Sequence, residues 1–290
     1  MHIAASKKYI WLMQVRKYSG ELVEFDLNRL KASLFKSGAS ADVVDAVWEA
    51  MEPMVYDGIS TGDLYRRAFR LLKRKAHAFA ARYSLKRALK ELGPAGYYFE
   101  QWVARLFQHA EYQTATGQLL EGNAVTHEVD VVARKGGDML LVECKFRNTV
   151  DAKISVTTPM YFLSRFKDME GRKFNFFGKP MGFTAGWLIT NAYLTTDSIR
   201  FGQYYGINLL AWNYPEDSSI KRRVDNAGLY PVTCLTTIAK AEKEVLLRQG
   251  CLLVKDIVTD PAQLDTLKCG PRKRRKIIEE ATELVNHKNT

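Results

Sequence analysis

His127-Glu128-Val129-Asp130-Val131-Val132-Ala133-Arg134, then Lys135-Gly136-Gly137-Asp138, then Met139-Leu140-Leu141-Val142-Glu143-Cys144-Lys145-Phe146, is the stretch that decides how this chain is read. Both flanks are short runs rich in Val and Leu. The Lys-Gly-Gly-Asp between them has the composition of a tight turn, so the pair reads as two antiparallel strands. Side chains alternate along a strand, which groups Val129, Val131 and Ala133 on one face. Asp130 then falls on the other face with Glu128 and Val132. On the returning strand the same period pairs Glu143 with Lys145 and turns Cys144 to the opposite, buried face.

The flanking sequence supplies the partners for this hairpin. Gly96-Tyr97-Tyr98-Phe99-Glu100 opens a helix running to about residue 110, with Phe99, Trp102, Val103, Leu106 and Phe107 as its apolar stripe and Glu100 beside it. Downstream, Gly186-Trp187-Leu188-Ile189-Thr190-Asn191 reads as a strand and Thr195-Thr196-Asp197 as a helix start. Tyr205-Gly206-Ile207-Asn208-Leu209-Leu210-Ala211-Trp212 reads as a second strand. Residues 151–185 lack a clear period; their Lys and Arg interleave with Phe166, Phe174, Phe176 and Phe177. That pattern suits either contact with nucleic acid or aromatics packed back onto a core.

The layout resembles the Mrr-like branch of the PD-(D/E)xK restriction-endonuclease fold. The likeness covers about residues 96–214. A second acidic-x-Lys set, Asp151-Ala152-Lys153, lacks the preceding Asp-bearing strand, so Glu143-Cys144-Lys145 is the one that matches. The resemblance implies Mg²⁺- or Mn²⁺-dependent cleavage of phosphodiester bonds. Hard oxygen ligands suit Mg²⁺, which usually takes one or two protein carboxylates. Asp130 and Glu143 are the implied ligands, with the Cys144 backbone carbonyl as a third oxygen. Lys145 is implied to orient the attacking water and Glu100 to complete the catalytic set. His127 and Glu128 read as strand-edge residues, and Gln203 lies on the helix between the two later strands, within potential reach of the site.

Upstream, residues 10–25 alternate around a Tyr18-Ser19-Gly20-Glu21 turn and read as a β-hairpin. Asp26 caps a helix, a second helix covers about 40–55, and Ser60-Thr61-Gly62-Asp63 starts a third that continues with a break to about 91. The blocks at 15–30, 56–64 and 80–89 resemble an ATP-cone, departing from that family's pattern at Tyr18 and Arg29. The resemblance implies a helical nucleotide-binding unit with a β-hairpin lid, Lys17 and Arg29 on phosphates, Thr61 near the nucleotide, and ATP or dATP as effector. No Gly-x-x-x-x-Gly-Lys-[Ser/Thr] occurs, which disfavours an ATP-hydrolysing motor.

Residues 233–285 read as short helices around a Lys268-Cys269-Gly270-Pro271 turn. The run Arg272-Lys273-Arg274-Arg275-Lys276 opens the last helix. This segment resembles a helix-hairpin-helix module, with only Gly270 of the usual glycine pair, and the resemblance implies contact with DNA phosphates through those five residues.

Composition sets outer bounds. The chain has 290 residues, 43 Lys and Arg against 32 Asp and Glu, and a formal charge of +11, which favours a polyanionic partner. With 47% apolar and 26% charged residues it is neither disordered nor low-complexity. No long apolar run suits a membrane span, so no membrane partner is expected. The start, residues 1–15, reads as a strand and not a leader, which makes the cytoplasm the expected location. Four separated cysteines form no Cys-x-x-Cys pair, so neither a zinc site nor a disulfide framework is expected. Gly93-Pro94-Ala95-Gly96 and the polar run at 214–219 divide the chain into 1–93, 94–215 and 216–290.

The expected fold is therefore multidomain α+β: a helical ATP-cone, an α/β nuclease core with a mixed sheet, and a small all-α domain. The expected function is an endodeoxyribonuclease acting in defence or DNA repair, with DNA and a nucleoside triphosphate as partners. A homodimer or higher oligomer is expected from the need for two sites to cut both strands. The alternative is a non-catalytic, nucleotide-responsive DNA-binding regulator. A regulator associated with ribonucleotide reductase would leave two-thirds of the chain unexplained.

Overall fold

A computed structural model of the chain describes residues 13–93, 96–149 and 151–286. Most of the 1–15 segment and the Pro94-Ala95 part of the first boundary lie outside the described residues. The N-terminal hairpin is β1 (Gln14–Arg16) and β2 (Leu22–Glu24), turned at Gly20, where φ is +88°. Then come α1 (Leu27–Phe35), α2 (Ala41–Met51), β3 (Ile59–Ser60) and α3 (Thr61–Lys75), with β3 running parallel to β1. Asp26 caps α1 by accepting the Arg29 N–H at 2.9 Å, and Ser60 caps α3 by accepting the Asp63 N–H at 2.9 Å. The expected long third helix is broken twice, at Ala76 and Ser84, into α3, α4 (His77–Tyr83) and α5 (Leu85–Lys90).

The middle segment opens with α6 (Tyr97–His109), then β4 (Gln113–Glu121), β5 (Thr126–Lys135) and β6 (Asp138–Lys145). After β7 (Lys153–Ile154) and α7 (Thr157–Asp168) come β8 (Ala185–Thr190), β9 (Tyr193–Leu194), α8 (Thr196–Tyr204) and β10 (Asn208–Leu210). The main sheet is mixed, in the order β10-β8-β6-β5-β4: antiparallel from β4 to β6, parallel from β6 to β10. The parallel part is made by two crossovers, one from β6 through α7 to β8 and one from β8 through α8 to β10. The short strands β7 and β9 pair separately.

The C-terminal segment is helical: α9 (Ile220–Ala227), α10 (Lys240–Arg248), α11 (Val254–Thr259) and α12 (Pro271–Asn286). Two 3₁₀ turns, Val232–Cys234 and Pro261–Leu267, connect them. The fold is mixed α+β with several sheets, as expected. Among the described residues no helix is long and apolar enough to cross a membrane.

Three cores hold these parts. One lies inside the N-terminal unit around Leu34, Val44, Met51, Ile59 and Leu72. A second lies between one face of the main sheet and α7, with Val129, Val132, Met139, Leu141 and Phe162. The third covers the other sheet face (Val131, Ala133, Leu140, Val142 and Cys144) and runs on to Phe99 and Trp102 of α6, Leu85 and Leu89 of α5, and Val224, Ile277 and Leu284 of the C-terminal helices. The sheet is thus covered on both faces, which is why β6 is buried from Met139 to Cys144 without polar alternation.

One expectation changes. Val129 packs with Val132 and not with Val131 and Ala133, so the period-2 alternation of β5 breaks at Asp130. On the neighbouring strand, Gly117 lies between Thr116, paired with Val131, and Gln118, paired with Val129. Its φ is +62°, a conformation that favours glycine, and the ladder is interrupted at the level of Asp130 although the register is the same on both sides. The unpatterned 151–185 stretch contains α7. Phe166, Phe174 and Phe176 pack on the second core, and Phe177 remains exposed.

Candidate functional site

The carboxylates singled out by the sequence converge where β5, β6 and the start of α6 meet. Asp130 accepts the backbone N–H of Cys144 at 2.6 Å, which ties the Asp of one strand to the Glu-Cys-Lys of the next. Glu143 is buried, at 1% exposure. One of its oxygens takes the Lys145 ammonium and the other the Arg165 guanidinium. Arg165 stands on α7, donates to the backbone carbonyl of Glu128 as well, and lies against the Tyr161 ring.

Glu100 enters from the first turn of α6. The helix begins at Gly96, whose φ is +85°; a Cβ there would stand 3.6 Å from Glu100 Oε1 and 3.5 Å from Phe146 Cβ. Burial pushes the Glu100 carboxyl up to about 7, and the charges of Asp130, Glu128 and Glu143 push the same way, with Lys145 opposing. Asp130 is pushed up to about 6, first by burial and then by Glu143. The Cys144 N–H, Lys145 and Arg165 pull it back. The Cys144 thiol is pushed well up by burial, consistent with an inert core side chain and not a nucleophile.

The resemblance implies Mg²⁺ or Mn²⁺, and the donor set can be tested against that. The charge of Glu143 raises the proton affinity of Asp130, and those of Asp130 and Glu143 raise that of Glu100, so like charges are crowded together, a situation a divalent cation relieves. Among the described residues, no three His, Cys, Asp or Glu side chains form a ready cage. Mg²⁺ does not require one, since it retains several waters. The carboxylate oxygens of Asp130 and Glu100 fit a hard cation. Glu143 fits once it gives up one of its two cationic partners.

The end of β6 is held by two buried residues that sequence reading passed over. Thr190 Oγ1 donates to the Lys145 carbonyl at 2.6 Å. Asn191 accepts the Arg147 N–H at 2.8 Å and donates to the Arg147 carbonyl at 2.7 Å. Both follow from the parallel pairing of β8 with β6, a long-range contact with no local sequence signal. Arg165 was missed for the same reason. His127 is paired with Asp168 at 2.7 Å, and Asp168 also accepts the Ala124 and Val125 N–H groups, so this pair braces the turn before β5. Gln203 donates to Tyr214 Oη at 3.1 Å.

In the N-terminal unit, Arg16 pairs with Ser60 across β1 and β3, which puts Lys17 and Thr61 at adjoining strand ends. Lys17 is paired with Glu21 at 3.0 Å within the hairpin turn. Arg29 sits in the first turn of α1, where its charge acts on Tyr193 of β9. Of the five basic residues opening α12, Lys273 is paired with Glu242 and Arg274 with Asp265, each at 2.5 Å. Arg275 is paired with Glu279 along the exposed helix face at 2.7 Å. Arg272 and Lys276 make no ion pair or side-chain hydrogen bond among the described residues.

Three comparisons place the chain among known proteins. Residues 230–285 match the family described as AF1548-like, C-terminal. An uncharacterized protein of Archaeoglobus fulgidus is 32% identical over 184 residues, covering 63% of this chain and 99% of that one. A solved structure, the crystal structure of the protein of unknown function AF1548, matches with a TM-score of 0.54 and 32% identity. That match covers 65% of this chain and 97% of that one.

Proposed function

The chain belongs to the AF1548-like family, and on that premise we propose that it is a Mg²⁺- or Mn²⁺-dependent endodeoxyribonuclease with a restriction-endonuclease-like core. The observation that carries this reading is the meeting of Asp130, Glu143 and Lys145 at one end of the β5–β6 hairpin, with Glu100 facing them from α6.

Each residue has a role the geometry suits. Asp130 and Glu143, with the Cys144 backbone carbonyl, would hold the ion. The ion, when bound, supplies charge neutralisation at the scissile phosphate and a bound water of lowered pKa. Lys145 is poised by Glu143 and offers its ammonium to the attacking water and to the charge growing on the phosphate oxygens. Glu100, with its proton affinity raised to about 7, can hold or release a proton near neutral pH. Arg165 positions Glu143 from α7.

Around this core, the N-terminal unit reads as an ATP-cone that senses ATP or dATP through Lys17, Arg29 and Thr61. The C-terminal helices read as a helix-hairpin-helix-like DNA grip opened by Arg272–Lys276. A cytoplasmic homodimer or higher oligomer in defence or repair accommodates all three. The test is to incubate linear, circular and methylated DNA with Mg²⁺, with and without ATP or dATP, beside Lys145→Ala. Cleavage by wild type and not by the variant is expected. No cleavage of any substrate, or equal cleavage by the variant, overturns the assignment.

One observation favours a second reading, a non-catalytic nucleotide-responsive DNA-binding regulator. Glu143 is already neutralised by two cations, Lys145 and Arg165, an arrangement stable without a metal. Duplex binding with no cleavage under any metal would select it.

A further inference from the structure

A cavity of about 580 Å³ opens where the junction of α3 and α4 meets the start of α12. Lys73 and His77 line one side and Arg272, Lys273 and Lys276 the other, with Thr236 at the floor. Among the described lining residues none is acidic. Contacts across the chain build that floor. Lys73 Nζ donates to the Thr236 carbonyl at 2.7 Å, and His77 Nδ1 lies 2.7 Å from Thr236 Oγ1. Behind it, buried Glu280 of α12 accepts the N–H groups of Thr236 and Thr237 at 2.7 and 2.9 Å and both hydroxyls at 2.8 and 2.5 Å. Four donors therefore engage the carboxylate nearest this floor.

Lys273 is held by Glu242, but Lys73, Arg272 and Lys276 remain available. A Lys ammonium has three donors, and Lys73 uses one on Thr236. Arg272 and Lys276 are exposed and have no partner among the described residues. Gly270 and Pro271 line the same cavity, so the N-terminal end of the 16-residue helix α12 borders it and adds to the positive field.

We infer that this cavity binds phosphate groups of a nucleic-acid backbone and is built jointly by the N-terminal helices and the C-terminal hairpin. A polymer suits it better than a small anion. The site is open, and exposed Arg74 and Lys75 end α3 next to Lys73, while exposed Arg275 continues the basic surface along α12. The nuclease reading supplies only the identity of the polymer, duplex DNA. The grip is then not a property of the C-terminal tail alone: the nucleotide-sensing unit contributes Lys73 and His77 to it, so the two share one surface.

The test measures binding of a fluorescein-labelled DNA duplex by anisotropy, in EDTA and over a series of KCl concentrations. Each phosphate that is no longer neutralised lowers the salt slope by about 0.9. The double variant Arg272→Ala/Lys276→Ala should therefore lower it by roughly 1.8, Lys73→Met by roughly 0.9, and Lys73→Arg should restore it. Unchanged slopes in folded variants overturn the inference. So does competition by ATP or inorganic phosphate that removes labelling protection at Lys276 without weakening duplex binding, which would mark a small-anion site. If Lys73→Met does not fold, amine-reactive labelling of wild type decides: the duplex should shield Lys73 and Lys276, and unaltered labelling overturns the site. Because EDTA excludes cleavage, the two readings separate. Altered slopes without cleavage at any metal sink only the nuclease, whereas cleavage with unaltered slopes sinks only this site.

Discussion

Asp130 accepts the backbone N–H of Cys144 at 2.6 Å, so the carboxylate of β5 is anchored on the strand that carries Glu143 and Lys145. An amide can accept the same hydrogen bond without the charge.

Asp130→Asn should therefore keep the fold and lose the proposed cleavage. Removing one carboxylate from beside Glu143 relieves repulsion, so the thermal midpoint without metal should rise. Mg²⁺ should raise the midpoint of wild type, by mass action on the folded state, and leave that of the variant unmoved. Cleavage should fall by about 10²-fold or more. Calorimetry with and without Mg²⁺ checks the first two outcomes. A variant that still responds to Mg²⁺ like wild type removes Asp130 from the ion site.

Arg165→Ala breaks a nearly buried ion pair and strands the second oxygen of Glu143. Removing one partner of such a pair costs about 3–5 kcal/mol. Urea denaturation should show a loss of that order, and Mg²⁺ should recover part of it by engaging the freed oxygen. A loss below about 1 kcal/mol, the range of a surface pair, would demote Arg165 to an ordinary surface contact.

Asp168 offers a pH test outside the carboxylate cluster. Its hydrogen bond from His127 holds its carboxyl below the usual carboxylate range, helped by the Ala124 and Val125 N–H groups. A depressed folded pKa stabilises the protein above the unfolded value of 3.8, and that stability drains away as pH falls through the folded value. Asp168→Asn should thus destabilise at neutral pH and converge on wild type under strong acid. A difference that does not shrink below about pH 4 contradicts this origin.

Lys86 of α5 joins the N-terminal helices to the middle segment at Tyr193 of β9. Its ammonium lies 3.7 Å from the Tyr193 ring centre, and burial pulls its pKa down from 10.5 to about 8 against the attraction of Asp151. Between those two values the unfolded chain binds more protons, so stability rises with pH there. Wild type should gain on Lys86→Met as pH climbs from about 8 to 10.5, read by denaturation at each pH. A constant difference between the two would refute the shift.

The hairpin at 127–146 was legible because its signals are local: Val-rich runs, a Gly-Gly turn and acidic residues at fixed offsets all lie within twenty residues or so. The caps at Asp26, Ser60 and Thr195 were legible for the same reason, each bonding an N–H three residues on. Strand β4 and helix α7 were not. β4 mixes Thr, Gln and Gly along a sheet edge, and α7 has an apolar stripe too short to stand out between Phe-rich loops.

The alternation of β5 misled at one point, because period-2 reasoning assumes a regular ladder and the ladder is interrupted beside Gly117. The five basic residues opening α12 looked alike in sequence. Folding gave Glu242 and Asp265 to two of them and left Arg272 and Lys276 open.

By itself, then, the sequence determined the hairpin at 127–146, the capped helix starts, the mixed α+β class and the identity of the carboxylates and lysine at the candidate site. Those follow from periodicity, capping and turn chemistry, which act over a few residues. Tertiary structure alone decided what surrounds them. It put Arg165 on Glu143, Thr190 and Asn191 under the end of β6, one core through all three segments, and Lys73 opposite Arg272 across a shared cavity. Such pairings depend on where the cores force distant faces together, and burial of apolar area carries no label in the sequence for the partner it will find.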